Sequence, residues 1–126
     1  MKIWEHPLYI EDLDRTVSLP LPWNELKDTC ILVSGGSGLI GSFLTDFIMY
    51  KNHTHGLNCQ VKVMGRNKEK LRSRFEAYAG DPRLSLIAQD VNQPMNIEAI
   101  GTDIDYIFIW LATRIRCNTQ QIRLAL

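Results

Sequence analysis

Four glycines fall within seven residues, at Gly35, Gly36, Gly38 and Gly41, and no other feature limits this chain as much. The cluster directly follows the short apolar run Cys30-Ile31-Leu32-Val33. It directly precedes a stretch in which Ile40, Phe43, Leu44, Phe47 and Ile48 recur at helical spacing. A continuous apolar run of that length suits a strand buried on both faces of a parallel sheet, and the later spacing predicts an amphipathic helix. Reversal from strand to helix over so few residues favours positions without a Cβ. The helix that follows offers free N–H groups and a partial positive charge, a setting made for phosphate.

The rest of the chain extends this pattern. Residues 52–58 form a polar break containing Gly56, and Val61-Lys62-Val63-Met64 is a second strand ending at Gly65. Asn67 is placed to cap a second helix with the face Leu71, Phe75 and Tyr78, stopped by Gly80-Asp81-Pro82. Leu84-Ser85-Leu86-Ile87-Ala88 is a third strand closed by Asp90; residues 94–100 have room for a short helix, and residues 104–108 for a fourth strand. Strands alternating with helices predict an α/β fold: a partial Rossmann fold, a doubly wound parallel sheet of about four strands, incomplete on its C-terminal side. Residues 1–28 read as a leader laid across that unit. Pro7, Pro20 and Pro22 break any long element; Trp4, Leu8, Tyr9, Ile10 and Trp23 supply an apolar strap, and Asn24 is placed to cap one helical turn.

Two spacings overlap at the turn. Gly36-x-Gly38-x-x-Gly41 matches the general dinucleotide fingerprint, and Gly35-x-x-Gly38-x-x-Gly41 matches a variant. Both require a tight turn, close approach of backbone to a pyrophosphate, and tight helix–strand packing, which suits Gly41. A lone glycine pattern is weak, but an apolar strand before it and an amphipathic helix after it are the context that gives it meaning. The expected ligand is NAD or NADP.

The segment Val33-Ser34-Gly35-Gly36-Ser37-Gly38-Leu39-Ile40-Gly41-Ser42 resembles the opening of the NAD-dependent epimerase/dehydratase family, the extended branch of the short-chain dehydrogenase/reductases. Ser34 stands at the family's Thr position and Leu39 at its Phe; the resemblance covers residues 30–108 or thereabouts. It implies a nucleotide-sugar substrate in the parent enzyme, through 4-epimerase, 4,6-dehydratase or UDP-glucuronate decarboxylase chemistry. Gly35, Ser37, Gly38, Leu39, Ile40 and Gly41 would then hold the cofactor. Ala88-Gln89-Asp90-Val91 resembles the family's acidic-plus-aliphatic pair after the third strand, which implies that Asp90 and Val91 meet the adenine; a strand-end turn is the plainer role for Asp90. One position departs from the pattern: NAD-specific members carry an acid at the end of the second strand, where this chain has Gly65-Arg66-Asn67. A guanidinium there suits the 2′-phosphate of NADP, while stacking on adenine or simple solvation leaves NAD open.

The resemblance also implies a catalytic Tyr with a Lys four residues on. Four residues after Tyr9, Tyr50, Tyr78 and Tyr106 stand Leu13, Thr54, Pro82 and Trp110, so the 126 residues hold no catalytic candidate and are expected to be inactive by themselves. After the fourth strand the family shows His-x-Ala, whereas residues 109–126 have no clear amphipathic period. Joining the third base of each codon to the first two of the next, from Phe108 and Ile109 onward and with permitted wobble bases, gives H-L-A-G-N-T-H-P-L-Q-Y-A-T-D-P-I-G-T. That string is similar to the missing family segment. Residues 109–126 are therefore expected to be out of frame, the alternative being a genuine tail. Reading the gene past the codon of Leu126 decides the matter, since the shifted reading requires an encoded Tyr-x-x-x-Lys downstream.

Other function classes find little support. Lys plus Arg and Asp plus Glu number 14 each, so net charge offers nothing to nucleic acid or an anionic membrane. The longest strongly apolar stretch, residues 38–50, is too short for a bilayer and contains Asp46. The first residues lack the apolar core of a signal peptide, and the chain reads as soluble and cytoplasmic. Cys30, Cys59 and Cys117 lack metal-type spacing, and His53-x-His55 near Cys59 reads as polar loop. Lys68-Glu69-Lys70 and Arg72-Ser73-Arg74 read as the wet face of a helix. Oligomeric state is not legible.

Overall fold

A computed structural model describes residues 2–110 of the chain. Four strands, β1 (Cys30–Ser34), β2 (Gln60–Gly65), β3 (Leu84–Ala88) and β4 (Tyr106–Ile109), form one sheet in the order β3-β2-β1-β4. All three pairings are parallel, with Val33 opposite both Val63 and Phe108. The α-helix α1 (Pro7–Val17) precedes β1, and α2 (Leu39–His55), α3 (Lys68–Arg74) and the single turn α4 (Ile97–Ile100) lie between the strands. The result is a partial Rossmann-like α/β fold. Its central strand β1 lies between β2 and β4, so the order of strands reverses beside it, at the place where such sheets form their ligand crevice.

Each layer follows from side-chain alternation on the strands. Ile31, Val33, Val61 and Val63 point to one face and pack with Ile48 and Met49 of α2 and Leu71 of α3. Leu32 and Met64 point to the other, where they meet Ile87 and Ile100. Among the described residues, α4 and its flanking loop cover the second core, which is the smaller of the two. β4 is exposed along its length, with Ile107 at 59% and Ile109 at 68% of full accessibility.

The N-terminal segment differs from the strap expected of it, since α1 is a true helix of 11 residues. Pro7 starts it instead of breaking it: at the first helical position its missing N–H is no loss. The ring of His6 caps the start by accepting from the N–H of Leu8. Leu13 and Val17, four apart, are buried where α1 packs against α2, while Leu8 stays in solvent. Lys51 of α2 donates to the carbonyl of Val17, satisfying the C-terminal end of α1. The following 3-10 turn begins at Trp23 with Pro22 at its cap position, so Asn24 lies inside the turn and does not cap it.

The apolar face read for α2 also needs correction. Its buried residues are Gly41, Ser42, Thr45, Asp46, Ile48, Met49 and Asn52, whereas Ile40 is 48% exposed. Phe43 and Phe47 are half-buried and turn toward the N-terminal segment, where Tyr9 and Trp23 meet them edge-on, each with ring centroids 5.9 Å apart. A helix covered by a sheet on one side and by a second helix on another has no single apolar stripe. Of the pattern's residues, Leu44, Phe47 and Ile48 pack on the sheet-side core, Phe43 turns to α1, and Ile40 turns to solvent. β4 runs through Ile109, where the out-of-frame tail was expected to start; residues 111–126 lie outside the described residues.

Candidate functional site

At the C-terminal ends of the strands, the chain leaves β1 at Ser34 and turns into α2 within four residues. Gly36 N–H donates to the Met64 carbonyl (3.0 Å), tying the turn to β2, and Gly38 N–H donates to the Gly35 carbonyl (3.1 Å). Gly35 has φ +63°, a left-handed conformation that costs glycine little. Gly41 is held by contact: a Cβ there would stand 2.6 Å from the Gly35 carbonyl oxygen and 3.1 Å from the Gly36 Cα. Only a bare Cα lets the first turn of α2 sit this close behind the loop. No side chain caps the α2 N-terminus at Gly38, so its first N–H groups face outward with the positive end of the helix dipole.

A cleft of about 210 Å³ opens in front of this turn. Gly35, Ser37, Gly38, Arg66 and Val91 line it, so five of the nine sequence-derived positions converge there. The other four lie elsewhere. Leu39 and Ile40 are exposed on the first turn of α2 and border a separate apolar groove of about 520 Å³ with Ile3, Tyr9 and Phe43. Gly41 is buried behind the turn. Asp90 is half-buried beside the cleft, its carboxylate accepting from the Asn92 N–H (2.9 Å), which is the turn geometry of an aspartate after a strand. The lining includes residues that sequence reading passed over, among them Met64, Lys70, Gln89, Asn92 and Trp110. Lys70 had a usable signal: it lies four residues after Arg66, on the first turn of α3, and both line the cleft. Asn67 caps that helix by accepting from the Lys70 N–H (3.1 Å), as its sequence position predicts.

Behind the turn lies a buried polar cluster that no sequence pattern announced. Asp46 of α2 is fully buried, and its carboxylate accepts from the Tyr9 and Tyr78 hydroxyls and from the Arg74 guanidinium. Arg74 is 18% exposed and also reaches the Tyr9 hydroxyl at 3.3 Å, so it does not belong to the wet face of α3. These bonds join α1, α2, α3 and the turn after α3. Burial, reinforced by Asp46, pushes both Tyr9 and Tyr78 above the usual tyrosine range. Among the remaining titratable groups, His53 Nε2 faces Asp81 at 3.3 Å, and hydrogen bonds from Arg83 hold the Asp81 carboxyl below its usual range. Cys30 and Cys59 are free and buried, and burial pushes both thiols up. Among the described residues, no group of three His, Cys, Asp or Glu side chains is placed to hold a metal, and no helix is long and apolar enough to cross a membrane.

No family model matches the chain, and no solved structure gives a significant match. Curated relatives do. UDP-glucuronic acid decarboxylase 3 of Arabidopsis thaliana is 38% identical over 68 residues, 54% of this chain and 18% of the relative. UDP-glucuronic acid decarboxylase 5 of the same plant is 37% identical over a match of the same extent. UDP-glucuronic acid decarboxylase 1 of Xenopus tropicalis is 30% identical over 93 residues, 71% of this chain and 21% of the relative. The matched stretch therefore spans about a fifth of each relative's length, and it makes the chain a partial homologue of proteins that bear this name.

Proposed function

We propose that the unit spanning residues 29–108 binds an NAD-type dinucleotide, as the cofactor-holding N-terminal portion of a nucleotide-sugar enzyme of the epimerase, dehydratase or decarboxylase type. One observation carries the reading. Gly41 is packed so tightly behind Gly35 that the open N-terminus of α2 stands at the cleft, which Arg66 and Lys70 also line. A pyrophosphate needs backbone N–H groups and helix-dipole charge without an intervening side chain, and the turn supplies them. The relatives, UDP-glucuronic acid decarboxylases by name, support the substrate class, a nucleotide sugar. In the whole enzyme such a dinucleotide would supply hydride transfer, and the part of these residues would be to hold its ADP-ribose portion. Gly35, Ser37 and Gly38 would meet the pyrophosphate, Val91 with Asp90 the adenine, and Arg66 the adenosine ribose or its 2′-phosphate.

Isothermal titration of the purified chain with NAD and with NADP tests the reading. Saturable binding of either supports it; a folded chain that takes up neither overturns it. A second reading is a stand-alone NAD(P)-binding regulatory module, for which the same cleft at Gly35, Ser37 and Gly38 would serve. It requires tight binding by a stable monomer, which the same titration combined with sedimentation would reveal.

A further inference from the structure

The residue after β4 bears directly on which part of a dinucleotide this cleft takes. Trp110 leaves the sheet beside β1, where its N–H donates to the Ser34 hydroxyl at 3.1 Å. Its carbonyl oxygen stands where a Cβ on Gly35 would be, 1.9 Å from that position, so the Trp110 backbone lies directly against the glycine turn. Its side chain is half-exposed, and Trp110 lines the same cleft as Gly35, Ser37, Gly38 and Arg66.

Topology tells which side of the cleft this is. Arg66 follows β2, on one side of β1, while Trp110 follows β4, on the other. In a sheet of this order the adenosine half of a dinucleotide lies toward the end of β2 and the pyrophosphate crosses at the glycine turn. The nicotinamide half must then extend toward β4, where Trp110 stands. The rest of the cleft's lining, Met64, Arg66, Lys70, Gln89, Val91 and Asn92, comes from the ends of β2 and β3 and the segments after them, so Trp110 is what borders it on the β4 side.

Resting on the dinucleotide reading, we propose that Trp110 fills the nicotinamide side of the cleft. The site thereby recognises the ADP-ribose portion of the ligand and gains little from the nicotinamide ring. Trp110 is then a specificity-determining residue of the site.

The test is a calorimetric titration that compares ADP-ribose with NAD, and 2′-phospho-ADP-ribose with NADP. Members of each pair differ only in the nicotinamide group, so the comparison holds for either cofactor. The expected result is that affinities within a pair agree within about threefold. The Trp110→Ala chain should bind the dinucleotide about fivefold more tightly, from apolar surface newly available to the ring, and the ADP-ribose compound unchanged. A dinucleotide that binds the unaltered chain more than about tenfold better than its ADP-ribose counterpart overturns the inference while leaving the dinucleotide reading intact. Failure of all four compounds to bind defeats the dinucleotide reading itself, and the inference with it. The comparison in the unaltered chain decides the issue even where the variant does not fold.

Discussion

Replacing Gly41 and Gly38 separately by alanine adds the same methyl group three residues apart, and the structure predicts different consequences. At Gly41 the new Cβ would stand 2.6 Å from the Gly35 carbonyl oxygen. Restoring an ordinary carbon–oxygen contact of about 3.4 Å requires the turn and the first turn of α2 to separate by roughly 0.8 Å. Both are backbone, so no side chain can swing aside, and overpacking of this kind costs about 1–3 kcal/mol. Loss of glycine's freedom in the unfolded chain returns only about 0.4–1 kcal/mol. The net expectation is a loss of about 1–2 kcal/mol. At Gly38 the nearest atom to a new Cβ is 3.3 Å away, and φ is −74°, which any residue adopts. Alanine caps a helix somewhat less well than glycine, but the unfolded-state gain offsets this, and stability should stay within about 0.5 kcal/mol.

Urea unfolding of the two variants beside the parent chain measures the difference. At a slope near 1–1.5 kcal/mol/M, Gly41→Ala should lower the midpoint by about 1 M and Gly38→Ala by little. Ligand affinity should divide the other way for Gly38, which lines the cleft: its methyl group intrudes on the pyrophosphate and weakens binding in a chain that is still fully folded. Equal midpoints for the two variants would refute the packing attributed to Gly41. Unchanged affinity in Gly38→Ala would refute the close approach of a pyrophosphate.

Three further outcomes follow from side chains already placed. Arg66→Gln should weaken NADP by about tenfold and leave NAD within about twofold, measured by titration; equal effects on both would remove the 2′-phosphate role. Arg74→Met strips the cation from a fully buried Asp46 and should cost about 3–5 kcal/mol in urea unfolding, with Tyr9→Phe milder at about 1–3 kcal/mol. A loss under about 1 kcal/mol for Arg74→Met would mean that water already reaches the cluster. Tyr9 and Tyr78 have raised values in the folded chain, so above the unfolded tyrosine value of about 10 the folded state keeps protons that the unfolded state releases. Their contribution is whole below that pH and declines as pH rises through the folded values; stability measured from pH 9 to 11 should fall less steeply in the Tyr9→Phe, Tyr78→Phe chain.

The glycine turn was legible because everything it needs is local. An apolar strand, a close reversal and a helix lie consecutively in residues 30–55, and the parallel order of the remaining strands follows from their alternation with helices. The Asp46 cluster was illegible for the opposite reason. Its partners Arg74, Tyr78 and Tyr9 lie 28, 32 and 37 residues away, and one acid amid an apolar helix gives no hint of which distant groups will meet it. The helix α1 was hidden by its proline, although Pro7 at the first position with Leu13 and Val17 four apart is a readable start signal.

These two kinds of feature depend on each other physically. The glycine turn's shape is a matter of tenths of an ångström between Gly41 and Gly35, yet neither residue has a side chain with which to hold that distance. The position of α2 must be set from elsewhere. Its sheet-facing residues Ile48 and Met49 fix its height above β1 and β2. Asp46, little more than one turn beyond Gly41, is gripped by α1 through Tyr9 and by α3 through Arg74, which opposes rotation of the helix and its sliding along the sheet. A buried ion pair adds little net stability over an apolar replacement of the same shape, but it tolerates few geometries. That makes Asp46 a positioning residue for the turn. Replacing Asp46 and Arg74 together by a well-packed apolar pair should therefore preserve most of the stability while loosening ligand binding, a separation that calorimetry and urea unfolding on one variant would show. Full retention of both would assign the alignment of α2 to the sheet contacts alone.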